Sequence, residues 1–296
     1  MLGYDFKDAM TRWLYPVEPL QTFWRGLLLA LLLFGVFTLL QIIMGLIVFG
    51  ALFHGDLQQL GNDYLNLQGL AAQGTLPQTV SPVAISLLKS TVIGIFPAGL
   101  ITAFLAVYFS RFGRKGRQGH LPLEWPRFGP LGWFLVVVAF AVIMAVGGAL
   151  LFAAFGVDPS AYQTSGQGLG DLKSQAGLVE KTLAELARDP WMFALALPSV
   201  VLAAPLAEEL IFRGVLFAAL TQSYVGRPGA VIITAALWSV AHAGAAPGMF
   251  IGIIFLMGLV LGVLLLRFGS LWITIACHTA WNTLVAVQML ALGGHN

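Results

Sequence analysis

The longest apolar segment of the chain, residues 23–53, limits what the chain can fold into. A helix needs about 20 apolar residues to cross the hydrocarbon core of a bilayer, and this segment exceeds that length. Over the whole chain 58% of the residues are hydrophobic and only 9% are charged. A water-soluble core cannot bury so much apolar surface, so the sequence predicts an integral membrane protein.

Six further apolar segments follow the first one and are separated by polar linkers. They predict spans at 82–108, 131–156, 191–220, 229–243, 249–266 and 271–290. The expected fold class is an all-α polytopic membrane protein, a bundle of about seven transmembrane helices, with six to eight as the range. The first 22 residues lack the pattern of a cleaved signal peptide, so the chain is expected to insert by its first span.

These segments divide the chain into four parts. Residues 1–22 form an N-terminal tail or interfacial helix, and residues 23–190 form an N-terminal transmembrane region with polar linkers. Residues 191–290 form a C-terminal membrane core, and 291–296 a short tail.

The basic residues are sorted by side of the membrane. With seven spans, ten Lys and Arg residues lie on the side of the N-terminus and three on the other. The ten are Lys7, Arg12, Arg25, Arg111, Arg114, Lys115, Arg117, Arg127, Arg227 and Arg267, and the three are Lys173, Lys181 and Arg188. Because cytoplasmic loops carry the excess of Lys and Arg, we expect a multi-pass plasma-membrane protein, in a bacterial inner membrane, with a cytoplasmic N-terminus.

Several partner classes are not indicated by the composition. The net charge of +2 is too small to predict a nucleic-acid partner. The single cysteine, Cys277, excludes an internal disulfide and a cysteine-based zinc site. The Gly-rich stretch at 166–170 has no strand around it and predicts a flexible loop rather than a nucleotide site. The lipid bilayer is the implied partner, and the sequence indicates no oligomeric state.

Two segments have the spacing of helices that lie on the membrane surface. One is within residues 1–22, where a loosely ordered tail is the alternative. The other lies in the linker before the fourth span, where Leu178, Val179, Leu183 and Leu186 share one helical face.

Lys89 and three glycines have structural explanations. Lys89 lies near the start of the second span, so its long side chain is predicted to extend toward the headgroups. Gly252, Gly258 and Gly262 of the sixth span are predicted to let another helix approach closely.

The fourth predicted span contains three ionisable residues, Glu208, Glu209 and Arg213. A charged group in hydrocarbon costs several kcal/mol, so such residues are candidates for a functional site. Pro198 and Pro205 precede them in the same span. Since proline removes a backbone hydrogen bond, we expect the helix to be kinked or broken just before the carboxylates.

Helix geometry assigns these residues different roles. Glu209 and Arg213 are four residues apart, so they can form an ion pair on one face. Glu208 points about 100° away and is free to meet another span. His278 and Asn282 of the seventh span also share a face, whereas Cys277 is rotated off it and is expected to be a small buried residue.

The polar groups of three spans are predicted to lie at similar depth. Counting back to the cytoplasmic turns at 1.5 Å per residue gives roughly 12–20 Å for Glu208, His242, His278 and Asn282. Glu208 would then take a proton from water held by His242, and His278 and Asn282 would donate hydrogen bonds to an oxyanion. The same groups are also consistent with a buried network that only fixes helix packing.

Three motifs resemble, in order and spacing, those of the CPBP family, the CAAX protease and bacteriocin-processing family. They are Glu208-Glu209 with Arg213, Trp238 four residues before His242, and His278 four residues before Asn282. The resemblance covers about the last third of the chain and implies an α-helical intramembrane endopeptidase. It implies that the first glutamate and first histidine activate water, that the later His and Asn form the oxyanion site, and that Glu209 and Arg213 support them.

The chain departs from the commoner family pattern at Trp238, where Phe is more usual, and this change is expected to alter the pocket wall. The family has long been described as metal-dependent, and zinc held by Glu208, His242 and His278 is the alternative mechanism. Because no His-Glu-x-x-His motif occurs and Asn282 suits an oxyanion better than a metal, we expect no cofactor.

The predicted function is hydrolysis of a peptide bond in a membrane-associated peptide or protein, whose identity and lipidation the sequence does not specify. Two other classes stay open. One is a non-catalytic membrane protein that binds a partner in regulation or bacteriocin immunity. The other is a proton-coupled transporter, although no inverted repeat is evident in the sequence.

Overall fold

The structure, a computed structural model, describes residues 23–62, 82–111, 121–126, 128–156, 182, 185–243 and 248–293. Seven long helices contain most of these residues, and no strand occurs among them. They are α1 (Phe23–Phe53), α2 (Pro82–Arg111), α3 (Pro130–Ala154), α4 (Pro190–Leu220), α5 (Gly226–Ala241), α6 (Gly248–Phe268) and α7 (Leu271–Gly293). A short helical segment at 57–62 follows α1.

Each predicted span corresponds to one of these helices, and the bounds agree within three residues. Five helices, α1, α2, α3, α4 and α6, are long and apolar enough to cross a membrane. Helix α5 has only 16 residues, fewer than a full crossing needs, and α7 has 23. The predicted all-α polytopic membrane bundle is therefore confirmed.

Helix α4 lies at the centre of the bundle and contacts α1, α2, α5 and α7. Over half of its most apolar stretch, 56%, is buried within the protein, compared with 17% for α1 and for α3. Helix α3 packs against α6 and α7 at the periphery. The central position of α4 keeps its ionisable side chains away from lipid.

Small residues let the helices approach closely. A Cβ atom at Gly99 of α2 would lie 2.6 Å from the carbonyl oxygen of Ala203 on α4. A Cβ atom at Gly258 of α6 would lie 2.8 Å from the Cα atom of Ala235 on α5, and one at Gly262 would lie 3.2 Å from a neighbouring side-chain atom. The predicted packing role is confirmed for Gly258 and Gly262. It is wrong for Gly252, which has no such neighbour within 4 Å.

Helix α4 continues through its prolines but changes hydrogen-bond register twice. The segments Ser199–Ala203 and Leu210–Leu216 are π-helical, and the α-helical stretch Ala204–Glu209 lies between them. Backbone bonds in a π-helix run from residue i to residue i−5, so each segment rotates the following side chains. The predicted kink or break thus takes the form of two π-helical segments that flank the paired glutamates.

A proline in α2 also leaves a carbonyl group without its helical donor. Pro97 has no N–H, so the carbonyl oxygen of Ile93, four residues earlier, lacks its usual partner. The hydroxyl group of Ser199 on α4 donates to this oxygen at 3.0 Å, and the contact is buried. This hydrogen bond ties α4 to α2 next to the first π-helical segment.

One prediction about surface contacts is corrected, and another gains a protein partner. The Nζ atom of Lys89 lies 3.4 Å from Glu185, so a protein carboxylate pairs with this amine, and its extension toward the headgroups stays a prediction. Leu186 is fully buried in a cluster with Val92 and Phe193, so it packs on protein and not on the bilayer. The other three leucine and valine positions of that predicted face, together with residues 1–22 and 166–170, lie outside the described residues.

Residues 121–126 pack against the turn between α6 and α7. The indole N–H of Trp272 donates to the carbonyl oxygen of Leu123 at 2.9 Å. The hydroxyl group of Ser270 donates to the carbonyl oxygen of Glu124 at 2.7 Å. These bonds hold the start of α7, the helix that carries His278 and Asn282.

A methyl group at position 99 should force α2 and α4 apart. Gly99→Ala directs the new carbon at a backbone oxygen, which cannot move aside as a flexible side chain can. We expect the free energy of unfolding to fall by about 1–3 kcal/mol, measured by SDS titration of the purified protein in mild detergent. Gly35→Ala is the control, because a Cβ atom there meets nothing within 4 Å. Equal stability of the two variants would contradict the close approach of α2 and α4.

Candidate active site

The first part of the candidate site is a buried ion pair on α4. Arg213 Nη1 donates to Glu209 Oε1 at 3.0 Å, and both side chains are completely buried. The same oxygen lies 3.0 Å from Nδ1 of His278 on α7. Since an ionised carboxylate only accepts hydrogen bonds, Nδ1 carries a hydrogen. Glu209 therefore joins α4 to α7 as well as pairing with Arg213.

The second part of the site begins one residue earlier on α4 and faces α5. Glu208 Oε2 accepts a hydrogen bond from the indole N–H of Trp238 at 2.7 Å. It also lies 3.9 Å from His242 Nε2, and the two side chains are 15% and 30% exposed. The prediction that Glu208 faces a different span from Glu209 agrees with this geometry.

The ring orientation of His242 follows from its backbone contact. Nδ1 lies 2.8 Å from the carbonyl oxygen of Trp238, one turn earlier in α5. Because a carbonyl oxygen only accepts, Nδ1 carries a hydrogen, and in the neutral imidazole the lone pair of Nε2 faces Glu208. The 3.9 Å separation is too long for a direct hydrogen bond, and one water molecule can bridge it.

His242 occupies the C-cap position of α5, which ends at Ala241. The sequence predicted a span that continues past it to residue 243. In the structure α5 begins three residues earlier, at Gly226, and ends two residues earlier, at Ala241. At 1.5 Å per residue, its end lies roughly 24 Å from its start, so a helix terminus and a partly exposed imidazole occur inside the bundle.

Trp238 lies between the two parts of the site and is only 2% exposed. Its ring is 5.1 Å from the ring of His242 and 5.2 Å from that of His278, edge to face in both pairs. The guanidinium carbon of Arg213 lies 4.4 Å from the centre of the ring. From the sequence, Trp238 was expected only to alter the pocket wall, and its hydrogen bond to Glu208 was missed. The available signal was the residue type, since tryptophan has an N–H that phenylalanine lacks.

Asn282 contacts the backbone of α4. Its Nδ2 atom donates to the carbonyl oxygen of Val200 at 2.8 Å. In the π register position 205 would pair with this oxygen, but Pro205 has no N–H. Asn282 supplies the missing donor with one amide hydrogen and keeps a second one. In the sequence, Pro205 indicates that a carbonyl group will lack its helical donor. It does not indicate which side chain pairs with that carbonyl group.

Cys277 agrees with its predicted role as a small buried residue. It is fully buried and forms no disulfide. A Cys–His nucleophilic pair is not indicated.

The alternative zinc site was tested against the same geometry. Among the residues that the structure describes, no group of three or more His, Cys, Asp or Glu side chains is arranged to hold a metal ion. His278 Nδ1 is directed at Glu209, and the rings of both histidines contact the ring of Trp238. In this arrangement Glu208, His242 and His278 are not placed as one set of metal ligands.

Fold and site together define a polytopic helical membrane protein in which a buried Glu–Arg–His network lies beside a more open Glu–His pair. Residues 190–284 match the family model described as Rce1-like, type II CAAX prenyl endopeptidase Rce1-like. This domain belongs to the CPBP family, so the resemblance seen in the sequence motifs is confirmed. The match includes all seven predicted site residues and supports a membrane protease function. None of the curated proteins and none of the solved structures compared with the chain matches it.

Removal of Arg213 should be strongly destabilising, because it leaves Glu209 buried without its cation. We expect Arg213→Ala to lower the free energy of unfolding by about 3–5 kcal/mol, again by SDS titration in detergent. Arg188→Ala is the control. Arg188 pairs with Glu185 at 3.0 Å in a partly exposed position, and such pairs contribute about 0–1 kcal/mol. Combining Arg213→Ala with Glu209→Ala should recover part of the loss, and a double variant less stable than the single one would contradict the buried pair.

Proposed function

We propose that this protein is an intramembrane endopeptidase that hydrolyses a peptide bond of a membrane-associated substrate. The observation that carries the proposal is the 3.9 Å gap between Glu208 Oε2 and His242 Nε2. Both atoms present lone pairs, so a water molecule in the gap would donate one hydrogen to each. Its oxygen lone pairs would then be directed away from the pair and available to attack a carbonyl carbon.

The proton balance of the proposed reaction needs only Glu208. The water oxygen forms a bond to the carbonyl carbon while one of its protons moves to the Glu208 carboxylate. The C–N bond then breaks, and Glu208 returns the proton to the leaving nitrogen. One water and one peptide bond are consumed, and a carboxylic acid and an amine are released. His242 stays neutral throughout and orients the water.

His278 and Asn282 are the proposed donors to the oxyanion. Asn282 has one amide hydrogen left after bonding to Val200. His278 already uses Nδ1–H toward Glu209, so only a hydrogen on Nε2 can reach an oxyanion. His278 then acts as an imidazolium whose Nδ1–H stays bonded to the ionised Glu209. Glu209 and Arg213 support the reaction by holding this histidine.

The surroundings of the site suit a substrate that is already in the membrane. His242 and Glu208 are partly exposed at the end of α5, whereas Glu209, Arg213 and His278 are buried. The bilayer and a membrane-associated peptide or protein are the proposed partners. From the distribution of Lys and Arg we also propose a plasma-membrane location with the N-terminus in the cytoplasm.

Glu208→Gln should abolish peptide release. The amide cannot take a proton from water, and loss of a general base costs about 10²–10⁴-fold in rate. Membranes that contain the parent protein or the variant are incubated, and released peptides are compared by mass spectrometry. Glu185→Gln serves as the control, because it changes a glutamate that pairs with Lys89 away from the site.

Equal peptide release by Glu208→Gln and parent membranes would refute the protease. If Glu208→Gln and His278→Ala also complemented a deletion strain fully, the non-catalytic partner-binding function would replace it. Uptake into proteoliposomes that depends on Glu208, without peptide release, would indicate a proton-coupled transporter.

Peptide release should persist after treatment with a metal chelator. The proposed mechanism uses only carboxylate, imidazole and amide groups, and the three zinc-ligand candidates are not placed as one set of metal ligands. The measurement is the rate of release before and after dialysis against 1,10-phenanthroline. Loss of activity that added zinc restores would contradict the metal-free mechanism.

A further inference from the structure

We propose that Trp238 is a positioning residue that orients both members of the water-activating pair. The inference rests on the proposed function of Glu208 and His242. Its basis is that one residue contacts each of them through a different group. The indole N–H of Trp238 donates to Glu208, and its main-chain carbonyl accepts from His242.

The contact with Glu208 restricts the carboxylate. A glutamate side chain has several rotatable bonds, and a partly exposed one samples several rotamers. The 2.7 Å hydrogen bond from Trp238 holds Oε2 at a defined point, and bonds from a donor to an ionised group are among the stronger ones. Because an indole N–H can only donate, it binds the ionised carboxylate and leaves a second lone pair of Oε2 for the water in the gap.

The contact with His242 restricts the imidazole. His242 lies at the end of α5, and its ring is partly exposed. The Trp238 carbonyl sets the tautomer, and the edge-to-face contact with the Trp238 ring sets the ring plane. Since both contacts come from one residue, the gap between Glu208 and His242 depends on where Trp238 sits.

Further contacts hold the side chain of Trp238 in place. Its ring is nearly fully buried, packs against the ring of His278 and lies beneath the guanidinium group of Arg213. Cation–π and aromatic contacts of this kind need only the ring face and edge, which phenylalanine also has in part. The hydrogen bond to Glu208 needs the N–H. A substitution that removes only the indole N–H group therefore separates the positioning role of Trp238 from its packing role.

The first test is spectroscopic and does not depend on hydrolysis. The chain has eight tryptophans, so the protein with ¹⁵N-labelled indoles gives up to eight N–H signals, of which Trp238→Phe identifies one. We expect the Trp238 proton signal to lie downfield of the others and to move upfield in Glu208→Ala. Glu185→Ala should leave it unchanged. A Trp238 signal that does not respond to Glu208→Ala would overturn the proposal.

The second test is kinetic and uses a peptide substrate identified by the mass-spectrometric comparison. Trp238→Phe should lower kcat about ten- to a hundredfold and leave KM within about twofold, because it removes one hydrogen bond to the base without changing the binding surface. Trp133→Phe is the control. It makes the same change of residue on α3, outside the site, and should leave kcat unchanged.

A second variant guards against a general loss of structure in Trp238→Phe. Incorporation of benzothienylalanine at position 238 keeps the two-ring shape and replaces the N–H by sulfur, and it should lower kcat as Trp238→Phe does. An unchanged kcat in this variant would overturn the positioning role alone. A parent protein that releases no peptide would instead overturn the proposed function, and this role with it.

Discussion

The buried ion pair between Glu209 and Arg213 is the interaction on which the arrangement of the C-terminal helices depends. Two charges inside a membrane bundle are tolerated only when they neutralise each other and find further partners. The pair forms within one helix turn of α4, but its remaining groups attract side chains from two other helices. His278 of α7 binds the carboxylate, and Trp238 of α5 covers the guanidinium group. One local pair therefore determines how α4, α5 and α7 face each other.

The backbone adds a second constraint through its prolines. Pro97 and Pro205 each leave a carbonyl oxygen without a helical donor, and a bare carbonyl in an apolar bundle is costly. Ser199 and Asn282 pair with these oxygens across helix boundaries. In both cases a missing intrahelical bond becomes a bond between helices. The π-helical segments on either side of Ala204–Glu209 also favour contacts between helices. They place Glu208 and Glu209 on faces that different neighbouring helices can reach.

Residue type and spacing predicted the fold well because hydrocarbon surroundings leave few choices. Apolar length determines where spans begin and end, and spacing of four predicted the Glu209–Arg213 pair. Spacing within one span cannot predict which glutamate a histidine on another span will meet. His278 was expected to donate to an oxyanion, and its Nδ1 contact with Glu209 was not predicted, since that contact depends on how α7 packs. The indole bond to Glu208 was missed for the same reason. The cap position of His242 was missed because the apolar pattern continues to residue 243, whereas the helix ends at Ala241.

The two adjacent glutamates illustrate how one motif can supply two chemistries. Helix geometry turns their side chains about 100° apart, and the neighbours then make their surroundings unequal. Glu209 is fully buried with Arg213 and His278 on one oxygen, so these two partners fix its position. Glu208 is partly exposed, accepts one hydrogen bond from Trp238, and faces His242 Nε2 across a gap. A base for hydrolysis must meet water and still keep its orientation. Of the two glutamates, only Glu208 meets both conditions. It depends on Glu209 for this, because Glu209 neutralises Arg213. The guanidinium group of Arg213 lies on the ring of Trp238, and that residue holds Glu208 in place.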